Sequence, residues 1–472
     1  MENFAYPKLM QYFREISAIP RPSYHEEKIA EALVSFATQR GFSCVRDEWN
    51  NVLISAPATE GLEDRAPVLL QGHTDMVCEK NEGVAHDFLN DPIELYEENG
   101  WLRARGTTLG ADNGVAVAAM LAILDGEAHP PLECLFTASE EVGLDGAKNF
   151  DYTRISARKM INMDGADDGE IIVGCAGGIR SDLFLRGERR SSERGVYRLS
   201  VRGFAGGHSG EDIHRGRANA NCLLGRLLSE ILTEQEIRLE SVVGGNKDNA
   251  IPREASAVLW VESFERAQRA VERVWKKILC ELSKEDENAE LCFVPCEGME
   301  NLFDASMTER LVSLLSLPNG VLSMEENYPD LVQFSRNLGV IRTEEQGIKV
   351  TFSSRSAKEE QIDASCLTLD TYALRTQAEI THHSRYPGWA VADHSELREA
   401  YAAVFERLFG RRLRVASIHA GLECGLIKQA IPEMDMLSCG PRIENLHSPD
   451  ERLDLRSLER FFLLITEVLK RI

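Results

Sequence analysis

Five side chains able to bind a divalent cation stand at or just beyond the ends of short apolar runs: His73, Asp112, Glu141, Asp164 and His447. Three carboxylates and two imidazoles form a mixed oxygen and nitrogen donor set that suits zinc, with cobalt or manganese as alternatives. One tetrahedral ion cannot use five donors. Two ions sharing Asp112 use them all, each keeping two further protein ligands and a common water. Ions ~3.5–4 Å apart clamp a substrate oxygen and bring hydroxide within reach near neutral pH. Glu140 precedes Glu141. Adjacent side chains point apart, so one can ligate while the other faces the water as a general base. His73 and Asp75 are two residues apart, which places both on one face if the strand continues and lets Asp75 orient the imidazole.

The elements that must position these groups recur in one form. The apolar run Ala66-Pro67-Val68-Leu69-Leu70 leads into Gln71-Gly72-His73-Thr74-Asp75, Leu132–Thr137 into Ala138-Ser139-Glu140-Glu141, and Lys159–Met163 into Asp164-Gly165. Each reads as a buried strand with its polar groups at the C-terminal end, where open α/β sheets place ligands. Gly106-Thr107-Thr108-Leu109-Gly110-Ala111-Asp112-Asn113-Gly114 is a glycine-rich loop before an Ala- and Val-rich helix reaching about Asp125. It has no G-K-[ST], no G-x-G-x-x-G and no basic residue, so it reads as a loop wrapped around a metal rather than a phosphate.

Around this frame the pattern predicts a helix over 6–18 and a second opened by a Ser23–Glu26 capping box and ended at Gly41. Strands follow at 43–47 and 52–56, then a hairpin of Ile93–Glu97 and Trp101–Arg105 turned at Asn99-Gly100. Strands alternating with helices predict an α/β fold with a mostly parallel sheet. From 195 to 384 strands such as Val196–Arg202, Arg238–Val243 and Ala257–Glu262, half of them alternating polar and apolar residues, alternate with helices near 218–234, 266–283 and 358–376. That is an antiparallel, α+β style. Buried strands return at Leu413–Ile418 and Met434–Leu437, before a last helix at 456–470. The expected organisation is a discontinuous catalytic domain, 1–184 and 385–472, interrupted by an α+β insert at 185–384 that is open to division into two lobes.

The chain has 472 residues and a net charge of −23, which argues against a nucleic-acid partner. Its eleven cysteines are dispersed without a C-x-x-C pair, as in a reduced, cytoplasmic protein. Met1-Glu2-Asn3-Phe4 lacks the start of a signal peptide, and no apolar run approaches the ~20 residues that span a bilayer. No membrane partner is expected.

Gly72-His73-Thr74-Asp75-Met76-Val77, the Gly106–Gly114 loop, Ser139-Glu140-Glu141-Val142-Gly143 and Asn162-Met163-Asp164-Gly165 resemble the M20 metallopeptidases. Three further stretches resemble the aminoacyl-histidine (Xaa-His) dipeptidase branch of that family, the PepD type: Gly169–Gly178, His419-Ala420-Gly421-Leu422-Glu423-Cys424-Gly425 and Gly440–Pro449. The resemblance runs essentially end to end. It implies a phosphorylase/hydrolase-like di-zinc peptidase domain with a mixed, mostly parallel sheet, plus an inserted α+β lid. His73 and Asp164 would hold one zinc, Glu141 and His447 the other, and Asp112 would bridge them. Asp75 would orient His73. A hydroxide shared by the ions would attack the peptide carbonyl, with Glu140 as base and then as acid to the leaving amine.

In the lid, the resemblance makes His208 of Gly206-Gly207-His208-Ser209-Gly210 the group that polarises the scissile carbonyl. It makes Asn249 a contact to substrate backbone. Arg355 is a candidate bidentate partner of the peptide's C-terminal carboxylate, and Gly421 a close backbone approach to substrate. His419 has no assigned role, and His382-His383 reads as a surface pair. The implied substrates are small free dipeptides with C-terminal histidine, β-alanyl-histidine included. A tripeptidase, carboxypeptidase or N-acyl amino acid deacylase on the same scaffold is the alternative. The chain is expected as a monomer or homodimer, and the length of the lid favours His208 serving its own chain.

Overall fold

The strand that carries His73 spans Val68–His73 and is buried at all six residues. A computed structural model describes residues 4–191, 195–298, 301–326, 328 and 331–472. The chain forms two compact units. The first comprises the chain up to Gly174 with Trp389–Ser417 and Leu422–Ile472, and the second Cys175–Gly388 with Ile418–Gly421.

In the first unit eight strands lie in the order Ser43–Arg46, Val52–Ala56, Leu132–Thr137, Val68–His73, Lys159–Asn162, Asp435–Ser438, Glu170–Cys175, Arg414–Ile418. The four central strands, Leu132–Thr137 through Asp435–Ser438, run parallel, and the sheet as a whole is mixed, as expected. On one side the flank is antiparallel because Ser43–Arg46 and Val52–Ala56 are joined by a short turn, which permits no other pairing. In the parallel core His73 lies opposite Thr137, and Gln71 opposite Asn162. The C-terminal ends are therefore level, and His73, Glu140, Glu141 and Asp164 leave the sheet at one edge.

The helix Ala111–Leu124 is buried at every residue but Asp112, as its composition without charge beyond that point requires. It packs against Val68–His73 and the helix Pro7–Ser17. A Cβ on Gly72 would lie 2.4 Å from both Ala116 Cβ and Asn113 Oδ1. Glycine there lets the start of the helix, with Asp112, lie against the strand that ends in His73.

The capping box does not form. The second helix runs Glu27–Arg40 and has no side-chain cap. Ser23 instead donates to Asp75 Oδ2 at 2.7 Å, and buried Glu26 accepts from the Ser139 N–H at 2.8 Å and its hydroxyl at 2.7 Å. The local capping bonds lose to contacts that fix the turns bearing Asp75 and Glu140. Gly41 closes the helix at φ 73°, as expected, and Asn99-Gly100 turns its hairpin with φ 51° and 80°.

In the second unit nine of the described strands join in one antiparallel sheet, and Arg189–Ser191 with Asn301–Phe303 and Gly207–His208 with Ala250–Ile251 form two short separate pairs, while the helices Ala220–Glu234, Phe264–Glu281, Ala305–Leu315 and Glu359–Thr376 contribute to one apolar core. Among the described residues no helix is long and apolar enough to cross a membrane.

Candidate metal centre and active site

The two oxygens of Asp112 divide between two imidazoles. Oδ1 lies 3.0 Å from His73 Nε2, and Oδ2 lies 3.2 Å from His447 Nε2. Each imidazole has a second carboxylate: Asp164 Oδ1 is 3.6 Å from His73 Nε2, and Glu141 Oε1 is 3.1 Å from His447 Nε2. The structure thus brings all five candidate ligands together as two triads that meet at Asp112. Glu140 stands beside them, in a third group with His73 and Glu141.

Asp75 ties two of the loops. The strand stops at His73, so the carboxylate reaches the ring through the following turn, not through strand alternation, and Oδ1 lies 3.3 Å from His73 Nδ1. The same carboxylate accepts the backbone N–H groups of Glu140 at 3.0 Å and Glu141 at 3.2 Å. One side chain therefore sets the ring of one ligand and the backbone of another. Ser139 and His447 both have left-handed backbones, φ 51° and 59°. Such strain in non-glycine residues persists where surrounding contacts hold it, characteristically at functional sites.

Beneath the ligands lie polar groups that the sequence reading did not assign. Glu451 accepts four backbone N–H groups, from Leu109, Gly110, Ala111 and Asp112, at 2.8–3.2 Å. Arg21, 2% exposed, donates to the carbonyls of Thr74, Asp75 and Gly110. Glu423 accepts from Gln71 Nε2 at 2.5 Å and Thr137 Oγ1 at 2.8 Å, while Asn162 donates to Gln71. That network joins the central strands two residues before His73 and Asp164. Glu423 and Glu451 sit inside or just after motifs that were read for their glycines and histidine. Arg21, between two prolines, carries no local signal.

Burial raises the Asp112 pKa, but hydrogen bonds from His447 and His73 outweigh it and hold the carboxyl below its usual range. The same contacts with Asp112 and Glu141 lift His447 to about 10. Burial pushes Asp164 up to about 6 and Glu423 to about 7, and raises Glu140 well above an ordinary carboxylate. Metal and proton compete for the same lone pairs, so the donors that shift these pKa values are those a divalent cation would use. The donor set fits divalent cations. Glu141 Oε1 is buried without a hydrogen-bond donor, its nearest partner being the imidazole nitrogen of His447.

In the second unit His208 pairs with Ala250, beside Asn249. The Glu211 N–H donates to His208 Nδ1 at 3.2 Å, which leaves the ring proton on Nε2. Burial and the charge of Arg355 lower its pKa, so the ring is a neutral donor. Asn249 is held through its neighbours: Asn337 Nδ2 donates to the carbonyls of Asp248 at 3.2 Å and Ala250 at 2.8 Å. Arg355 donates from Nη1 to the Tyr386 hydroxyl at 2.6 Å. A Cβ on Gly421 would come 2.9 Å from that ring, which accounts for the glycine. His419 bonds Ser335 Oγ at 2.7 Å and the Val332 carbonyl, and burial drops its pKa to about 3, so it is a neutral anchor of its segment. His382 lies between Ser181 and Asp370, and His383 beside Asp182, as a surface pair satisfied by its neighbours.

The profile of peptidase family M20/M25/M40 matches residues 69–471. The chain belongs to this family. The M20 chain is 39% identical to the cytosol non-specific dipeptidase of Escherichia coli (strain K12) over 471 residues, 98% of this chain and 97% of that one. Among solved structures, the aminoacylhistidine dipeptidase from Vibrio alginolyticus superposes with a TM-score of 0.96 at 36% identity, covering 100% of this chain and 98% of that one. The aminopeptidase PepT from Bacillus cereus shares the fold at a TM-score of 0.59 and 15% identity, covering 99% and 98%.

Proposed function

We propose that the chain is a cytoplasmic dipeptidase that hydrolyses free dipeptides with the help of two divalent cations, zinc foremost, and prefers a C-terminal histidine, β-alanyl-histidine included. The observation that carries this reading is the division of Asp112 between the His73–Asp164 and His447–Glu141 pairs. The names of the E. coli and Vibrio relatives support dipeptides and aminoacyl-histidines as the substrate class. The eleven free cysteines suit a reducing compartment.

His73 and Asp164 would hold one cation, Glu141 and His447 the other, and Asp112 would serve both. Bound there, the cations would supply an acidified water and a Lewis-acid contact for the scissile carbonyl. Asp75 keeps the His73 ring and the Glu140–Glu141 backbone in register. Glu140, beside the ligands but not needed by either triad, takes the proton of the attacking water and passes it to the leaving amine. His208 offers an Nε2–H to the developing oxyanion, a role typically worth about 3 kcal/mol per donor. Asn249 binds substrate backbone, and Arg355 the terminal carboxylate.

The test is a panel of substrates given to protein stripped with chelator and reloaded with zinc. Cleavage is expected for Ala-His and β-alanyl-His and absent for N-acetylalanine and a tripeptide. Turnover of only the tripeptide or the acetylated compound would keep the metal chemistry and overturn the dipeptidase reading.

A further inference from the structure

The one guanidinium aimed at a substrate carboxylate in this reading is held by a residue that no motif singled out. Arg355 is 9% exposed, and among the described residues no carboxylate lies within ion-pair distance of it. Its Nε is buried without a partner, and its Nη1 donates to Tyr386. A buried charge left without a counter-ion is costly, which marks the place of an anionic ligand.

Three neighbouring strands bring Tyr386 to Arg355. Arg355 and Tyr386 both face Gly178, one from either side. Between His383 and Tyr386 the pairing shifts by one residue, a bulge that puts Tyr386 rather than Arg385 opposite Gly178. A Cβ on Gly178 would lie 2.6 Å from the Tyr386 hydroxyl. Only glycine lets the phenol lie across the middle strand, and Gly421 leaves room on another side of the ring. The phenol oxygen accepts from Arg355, so its own hydrogen points away from the guanidinium. No acceptor for that hydrogen is found among the described residues. Burial raises the Tyr386 pKa, which keeps the hydrogen in place.

We infer that Tyr386 is a specificity-determining residue that, with Arg355, grips the C-terminal carboxylate of the substrate. Arg355 supplies the charge and the phenol a second donor, while the hydrogen bond between them fixes the angle of the guanidinium. This rests on the proposed role of Arg355.

The experiment compares Ala-His with Ala-histidinamide on the zinc-loaded wild type and on Tyr386→Phe, with folding checked by circular dichroism. The wild type is expected to prefer the free acid. In the variant the ratio of kcat/KM for acid over amide is expected to fall about tenfold, the loss going into KM, as for removal of one hydrogen bond to a charged group. Equal cleavage of acid and amide by the wild type would overturn the Arg355 reading itself. Discrimination in the wild type that survives in the variant would overturn the inference about Tyr386 alone. Should the Phe variant not fold, 3-fluorotyrosine placed at 386 keeps the phenol. Its fluorine resonance is expected to move with free histidine and not with histidinamide, and any other pattern contradicts the inference.

Discussion

Glu140→Gln is expected to lower kcat by ~10²–10⁴, the usual contribution of a positioned general acid–base, while both cations stay bound. The substitution keeps the size of the side chain and the backbone N–H that Asp75 accepts. It removes only the ability to take and return a proton. Glu140 belongs to neither triad around Asp112, so the ligand set is left whole. The same exchange at Glu141 acts differently, because it weakens a donor 3.1 Å from His447 and costs metal occupancy as well as rate. Ion content by elemental analysis beside steady-state kinetics separates the two. A Glu140→Gln enzyme within tenfold of wild-type kcat would mean that another group moves the proton.

Glu451→Leu is expected to cost stability more than chemistry. The Glu451 carboxylate is 3% exposed and accepts the N–H groups of four successive residues, ending at Asp112. Those donors open the helix whose start carries the shared ligand, and an N–H buried without an acceptor costs about 1–3 kcal/mol. Such costs do not add fully, because part of the loop relaxes, so a loss of about 3–5 kcal/mol is expected, in line with removal of one partner from a buried charged network. Urea unfolding of the metal-free protein measures it without interference from metal binding. Glu451→Gln keeps one acceptor oxygen and should lose less. A loss under 1 kcal/mol for the Leu variant would show that these amides find other acceptors.

The parts of this protein that announce themselves in the sequence are those governed by local pattern. His73, Glu140, Glu141 and Asp164 were legible because each follows an apolar strand whose parallel neighbours end at the same level. Asp112 and His447 were legible from the motifs around them. The supporting polar groups were not. Arg21, Glu26, Glu423 and Glu451 act through partners between 53 and 352 residues away, and no local periodicity encodes such contacts. Ser23 shows the cost of local reasoning, since its capping signal was sound and a distant carboxylate took the hydroxyl. Tyr386 was hidden for another reason: its position depends on a one-residue bulge and on the missing side chain of Gly178, neither of which has a local signature.

The account turns on Asp112 serving two cations, and the most direct measurement is a count. Chelator-stripped protein titrated with zinc, followed by elemental analysis and Ala-His hydrolysis, is expected to bind two ions per chain, with full activity only when both are present. Asp112→Asn is expected to weaken both sites together. One ion per chain at full activity, or two ions held as tightly by Asp112→Asn as by the wild type, would contradict it.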